Sequence, residues 1–297
     1  MIKVFVKSLV AILFFFATSI IQAQEFQGKA VYQTKTKMDM DFAGSGIPAD
    51  RIKMIKERMK NRLEQTYVLT FDKTASIYKK EDKLDQASGG RGGMRFMMMG
   101  GAGSGKYYKN SQTKTSSKES EFSGKNFLIK DDLKTYDWKM EQETKMIGEN
   151  MCFKATTIIE RPVRNTNIRF GRRHNSASEE DKEKEKEKEN EPVKMEQIIV
   201  TAWYAMEIPV NHGPDDYWGL PGLILEVNDG STQIVCTKIV MNPKDKVEIK
   251  EPKKGKVVTQ AEYDKILEVK MKEMQERFRN EREKSGHGGG HRMRIGG

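Results

Sequence analysis

Between Glu196 and Val240 the chain contains three apolar, β-branched runs: EQIIVTAWYAMEIPV, GLILEV and TQIVCTKIV. The last two are separated only by Asn228-Asp229-Gly230-Ser231, a hairpin signal because Asn, Asp and Gly accept the left-handed backbone that tight turns need. Such runs cannot bury themselves singly. They commit this part of the chain to an antiparallel sheet with at least one covered face.

The segment entering the second run is Asp215-Asp216-Tyr217-Trp218-Gly219-Leu220-Pro221-Gly222. Pro221 fixes φ, and Gly222 tolerates positive φ, so Leu220-Pro221-Gly222-Leu223 fits a type II turn with Pro and Gly at its centre. Alternation then predicts Leu223, Leu225 and Val227 on one face of the strand and Ile224 on the other. A strand apolar on both faces is covered on both.

The same reading extends along the chain. GKAVYQTKT (Gly28 to Thr36) opens as a strand, and PADRIKMIKERMKNRLEQ switches to helical spacing, with Ile52, Ile55, Met59 and Leu63 in one stripe. TYVLTFDKTASIYKKE gives two short strands about Asp72-Lys73, and residues 125–162 give three or four more. Near the end Thr259 and Glu262 form a capping-box pair ahead of a helix over residues 260–280. Its apolar face is Tyr263, Ile266, Leu267, Met271, Met274 and Phe278. The fold expected is mainly β (α+β): a curved antiparallel sheet with two peripheral helices.

Two segments lack either period. Residues 82–105 include the Gly- and Met-rich ASGGRGGMRFMMMGGAGSG, and residues 171–195 include the tract SASEEDKEKEKEKENEP, which has no apolar face to dock. Both are expected to be unstructured insertions in a β domain spanning residues 24–243. A C-terminal extension (244–284) and an unstructured Gly/His/Arg tail (285–297) complete the expected organisation.

The first 23 residues are expected to lie outside the fold. Lys3 and Lys7 precede the apolar run Leu9 to Ile21, and Gln22-Ala23 ends it, the pattern of a secretory signal peptide. The run is short for a membrane span, so no span is expected in the mature chain. No Cys follows the expected cut, which disfavours a lipid anchor there. The protein is read as exported, to the periplasm or cell envelope.

The formal net charge of +10 comes mostly from lysine. It suits a solvated surface or contact with anionic lipid. Aromatics are not interleaved with these charges as a nucleic-acid groove requires, so no nucleic-acid partner is expected. Cys152 and Cys236 both fall in expected strands, and in an oxidising compartment two cysteines either pair or stay as buried thiols. Spacing leaves both open.

Few residues offer chemistry. Gly100 to Lys106 has the G-x-x-x-x-G-K spacing of a phosphate loop, but Tyr107 stands where a Ser or Thr should bind magnesium, and the residues after it form a poor helix. Of the four histidines, His174 borders the charged tract and His287 and His291 sit in the tail. Only His212 has acidic neighbours, Asp215, Asp216 and Glu207, and such loop residues more often act as turn donors than as a base or metal ligands. Met94, Met97, Met98 and Met99 are soft thioethers suited to Cu(I), and His287 and His291 add imidazoles. No resident cofactor is expected, and no nucleophile–base pair points to an enzyme.

The blocks IGENMCFKATT, VTAWYAMEIPVNHGP and DYWGLPGLILEV, with FLIKDDLKTYDWKM ahead of them, resemble the signature blocks of the GLPGLI family. The likeness runs from Gly28 to about Pro243. It implies an exported protein of Bacteroidetes-type bacteria with no established activity. The segment order is also similar to the periplasmic lipoprotein-carrier half-barrel, a likeness of fold that does not by itself give function. The resulting expectation is a non-enzymatic envelope protein holding an apolar ligand, or a segment of an outer-membrane partner, in a half-barrel. Trp203, Tyr204, Tyr217, Trp218, Leu220 and Leu223 would line its mouth, since large aromatics with one polar end suit such a rim. The alternative is capture of a soft metal, copper or iron, by the Met-rich loop and the His tail.

Overall fold

In chain order the elements begin with β1 (Gly28–Thr36), β2 (Met40–Asp41), α1 (Ala49–Leu63), β3 (Glu64–Phe71) and β4 (Ala75–Lys80). Next come β5 (Tyr107–Asn110), β6 (Thr115–Phe122), β7 (Lys125–Asp132), β8 (Lys139–Ile147), β9 (Asn150–Pro162) and β10 (Ile168–Arg169). The chain ends with β11 (Met195–Ala205), β12 (Leu223–Asn228), β13 (Thr232–Met241), β14 (Lys256–Val258) and α2 (Gln260–Gly286). This computed structural model describes residues 26–37, 40–42, 46–81, 105–162, 168–169, 195–245 and 248–286. The Met/Gly loop and the Glu/Lys tract lie outside the described residues, apart from Gly105 and Met195 at their borders.

Among the described residues the fold is mainly β, an open mixed sheet with two helices. The chain divides into two units, residues 1–78 with 135–249 and residues 79–134 with 250–297. In the first, strands run in the order β4-β3-β1-β13-β12-β11-β9-β8. Their pairings, β1 with β3 and β13, β12 with β11 and β13, and β9 with β8 and β11, are all antiparallel. Two hairpin turns form as their sequences direct. Asp72 Oδ1 accepts from the Thr74 and Ala75 amides at 2.7 Å each. Asp229 Oδ1 accepts from Ser231 N at 2.9 Å and Thr232 N at 2.6 Å, with Gly230 at φ +84°.

Register sorts this unit's residues onto two faces. Trp203 lies opposite Lys154 and Glu226, and Glu226 lies opposite Val235. The intervening residues form a packed face: Ala155, Val200, Ala202, Tyr204 and Val227 are buried together, with Phe153, Ile159 and Ile198 partly buried against them. At β8 the ladder bulges, so that Glu141, Gln142 and Glu143 face the single residue Lys154. Lys154 Nζ holds both carboxylates, at 2.9 Å from Glu141 and 2.8 Å from Glu143.

In the second unit the order is β14-β7-β6-β5. Within it β14 runs parallel to β7, while β2 and β10 form a separate parallel pair outside this unit. Strand β14 and helix α2 belong to this second unit. Thr259 and Glu262 exchange capping hydrogen bonds at 2.9 and 3.2 Å. Tyr263 joins Phe122, Phe127, Ile129 and Val258 in a core, with Ile266, Leu267, Met271 and Met274 against it. The helix runs to Gly286, beyond the expected residue 280. Strands β5 and β6 were not legible, because YYKN and TSSKESEF lack an apolar alternation. Ser116, Ser117 and Ser120 occupy buried positions there, and Ser120 Oγ lies 2.7 Å from the Tyr263 hydroxyl.

Candidate functional site

Residues 206–222 connect β11 to β12, and part of this connection packs on the buried, inner face of the first unit's sheet. At one end His212 is buried, its ring centroid 6.2 Å from that of Phe71 and its Nε2 3.1 Å from the Asp72 carbonyl. The histidine therefore braces the connection against the β3–β4 turn. At the other end Tyr217 and Leu220 enter the core beside Tyr204, Ile224 and Val227. Tyr136 and Trp138, just ahead of β8, close over them. The Tyr136 ring lies 5.5 Å from both Trp138 and Tyr217, and Trp138 Nε1 donates to the Trp218 carbonyl at 2.9 Å.

The turn works differently from the type II geometry expected. The left-handed residue is Gly219, at φ +98°, and Gly222 does not have a positive φ. Gly219 N donates to the Asn211 carbonyl at 2.9 Å, closing the loop on itself. Gly222 is needed for space: a Cβ there would sit 2.3 Å from the Ala205 carbonyl oxygen. The strict alternation expected for the strand also fails. A register shift between Trp203 and Tyr204 puts Ile224 and Val227 in the same core.

On the N-terminal side of Glu226, β12 stands apart from β13. Their pairing covers only Glu226, Val227 and Asn228. Ile224 is satisfied by other parts of the chain, its N–H by the His212 carbonyl at 3.0 Å and its carbonyl by the Tyr32 hydroxyl at 2.8 Å. Leu223 N reaches the Ile208 carbonyl at 3.0 Å. Leu223, Ile224 and Leu225 are all fully buried.

The six residues expected at one rim thus fall in separate places. Tyr204, Tyr217 and Leu220 share the inner-face core, with Trp218 half-buried beside them. Leu223 is buried at the start of β12, one residue out of phase with Ile224. Trp203 is half-buried on the opposite face. Lys145 Nζ stands 4.3 Å from its ring centroid and 2.5 Å from Glu226 Oε2, and Gln233 Nε2 donates to Glu226 Oε1 at 3.0 Å. Sequence reasoning passed over Tyr136, Trp138, Lys145 and Glu226. The alternation of Tyr136 and Trp138 in KTYDWK was the available signal for the first two.

That opposite face also carries a small apolar strip. Ile158 of β9 and Ile199 of β11 are directly paired and are 58% and 66% exposed. Met195, four pairs further along β11 and past the hydrogen-bonded Gln197–Glu160 pair on the same face, is 58% exposed.

The two cysteines are free thiols in the structure. Cys152 shares a face with Lys154 and hence, through the ladder, with Val235, so Cys236 points to the other face. Strands β11 and β12 also separate them. Side chains directed apart in this way cannot be bridged without moving backbone. Each thiol donates instead to a carbonyl two residues along its own strand, Cys152 to Asn150 at 3.6 Å and Cys236 to Lys238 at 3.5 Å. Burial is the main cause that pushes both up to about 11.

Met94, Met97, Met98 and Met99 lie outside the described residues, as do His174, His287 and His291. Among the described residues no group of three or more His, Cys, Asp or Glu is placed to hold a metal ion. Lys106, the last residue of the phosphate-loop lookalike, is followed directly by strand β5, where such a loop would need a helix N-terminus. No described helix is long and apolar enough to cross a membrane.

No curated protein matches the chain. Two solved structures of PNGF-II, in C2 and P21 crystal forms, are similar at 12% identity, with TM-scores of 0.44 and 0.45. Each match covers 82% of this chain, which spans about a third of the PNGF-II chains (32% and 33%). Residues 138–226, from Trp138 through the Gly219–Ile224 turn to Glu226, match the family model described as a protein of unknown function (Porph_ging).

Proposed function

We propose that this protein is an exported, non-enzymatic binding protein of the cell envelope, and that it takes an extended apolar segment of a protein partner. The observation that carries this reading is the exposed, directly paired Ile158 and Ile199, with the exposed Met195 further along the same face. Flat exposed apolar residues on a paired sheet favour an extended chain over a small enclosed molecule, because they offer neighbours on one side only. The inner face, where a half-barrel carrier would hold an apolar ligand, is packed by the chain's own Tyr217 and Leu220. Export is supported by the basic and apolar pattern of residues 1–23. The narrower family reading, membership of the GLPGLI family, is supported by the position of Gly219–Ile224 within the matched residues 138–226.

The test is native mass spectrometry of the protein purified gently from its own envelope, alongside the Ile158→Ser/Ile199→Ser variant. A partner-protein mass lost in the variant, with thermal stability unchanged, is the expected result. A bound lipid-like mass retained in the variant would replace this reading with the carrier one. A partner mass that persists in the variant would remove the strip from the interaction.

A further inference from the structure

We infer that α1 is a docking surface for anionic phospholipid, independent of the partner strip on β9 and β11. Its fifteen residues turn by ~100° each. That spacing places Ile52, Ile55, Met59 and Leu63 in one stripe, with Lys53, Lys56 and Lys60 along one flank and Arg51 and Arg58 along the other. The two acids, Asp50 and Glu57, lie together on the far side. This order is what an interface between water and lipid selects: the apolar stripe enters the headgroup boundary, flanking lysines and arginines extend to phosphates, and carboxylates stay away from them.

Two further observations separate this helix from an ordinary amphipathic one. None of the four stripe residues is fully buried, so the chain's own packing covers the stripe incompletely. All five cations are exposed, and none has a carboxylate partner among the described residues. By contrast, Lys154, Arg161 and Lys270 elsewhere in the chain are all paired. Lys56 Nζ instead stands 5.7 Å from the centroid of the Phe42 ring, which places an aromatic beside the basic flank. Unpaired cations beside an incompletely covered apolar stripe complement a surface that is negative above and apolar below.

The experiment is co-sedimentation of the mature chain with phosphatidylcholine vesicles, with and without about one quarter phosphatidylglycerol. Binding to the anionic vesicles is expected to be at least about tenfold tighter and to weaken with added salt. Reversing the three lysines (Lys53→Glu, Lys56→Glu, Lys60→Glu) is expected to remove about tenfold or more of that binding without changing the thermal midpoint. Reversing Lys254, Lys265 and Lys272 changes net charge equally and is expected to cost less than about threefold. Equal losses in the two variants would reduce the effect to overall charge and overturn the assignment to α1. Equal binding to neutral and anionic vesicles would overturn the lipid surface itself.

Discussion

The Tyr32 hydroxyl, on β1, donates a 2.8 Å hydrogen bond to the carbonyl of Ile224, on β12, across 192 residues of sequence. It does so where the β12–β13 ladder has ended and Ile224 would otherwise have no partner on that edge. The Gly219–Ile224 turn can therefore leave the sheet on its way into the core without leaving a buried carbonyl unpaired.

Tyr32→Phe keeps the ring and removes the donor. The expected cost is about 1–3 kcal/mol, the penalty for stranding a buried acceptor. Equilibrium denaturation should show a lower midpoint with an unchanged slope. An unchanged midpoint would mean that water replaces the phenol.

The two glycines of the turn should respond for different reasons. Gly222→Ala drives a Cβ into the Ala205 carbonyl, and backbone cannot rotate away, so the loss should reach about 1–3 kcal/mol or more. Gly219→Ala meets only an ordinary contact, Trp138 Nε1 at 3.9 Å, and its cost is that of the left-handed φ, about 1–2 kcal/mol. Thermal melts that rank the two the other way would contradict this assignment.

Both thiols favour the neutral form in the folded chain, with values near 11 against an ordinary 9.0. Their contribution to stability is then fully present below about pH 9 and is lost as pH rises towards 11. The denaturation midpoint should fall across that window, and the Cys152→Ala/Cys236→Ala variant should flatten the fall. Tyr32, also raised chiefly by burial, leaves a residual decline above pH 10. Labelling the unfolded, unreduced protein should find two free thiols per chain, whereas none would indicate a bridge.

Soft-metal capture has a separate readout. If the Met-rich loop binds Cu(I), deleting residues 87–105 should abolish copper retention while leaving the melting temperature nearly unchanged. Copper retained after deletion would exclude Met94, Met97, Met98 and Met99 as its ligands.

Leu220→Ala and Trp203→Ala distinguish the two faces of the sheet. Leu220 is fully buried, and its truncation should cost about 2–5 kcal/mol. Trp203 is half-buried under the Lys145 ammonium and should cost markedly less. Urea titration of the two variants checks the order.

The sequence by itself determined the elements whose signals are local. The Asn228–Ser231 hairpin, the Thr259–Glu262 cap and the apolar runs of β11, β12 and β13 each rest on interactions within a few residues. What only the tertiary structure decided depends on register and on distant partners. A shift at Trp203/Tyr204 moved Ile224 into the Val227 core, and the β9–β11–β12–β13 ladder turned Cys152 and Cys236 to opposite faces. Because side chains alternate with a period of two, one displaced residue exchanges the faces of everything after it, and no local pattern records the displacement. Strand β6 was hidden for a related reason: its buried serines are stabilised by partners supplied from another strand and from α2, which become neighbours only after folding.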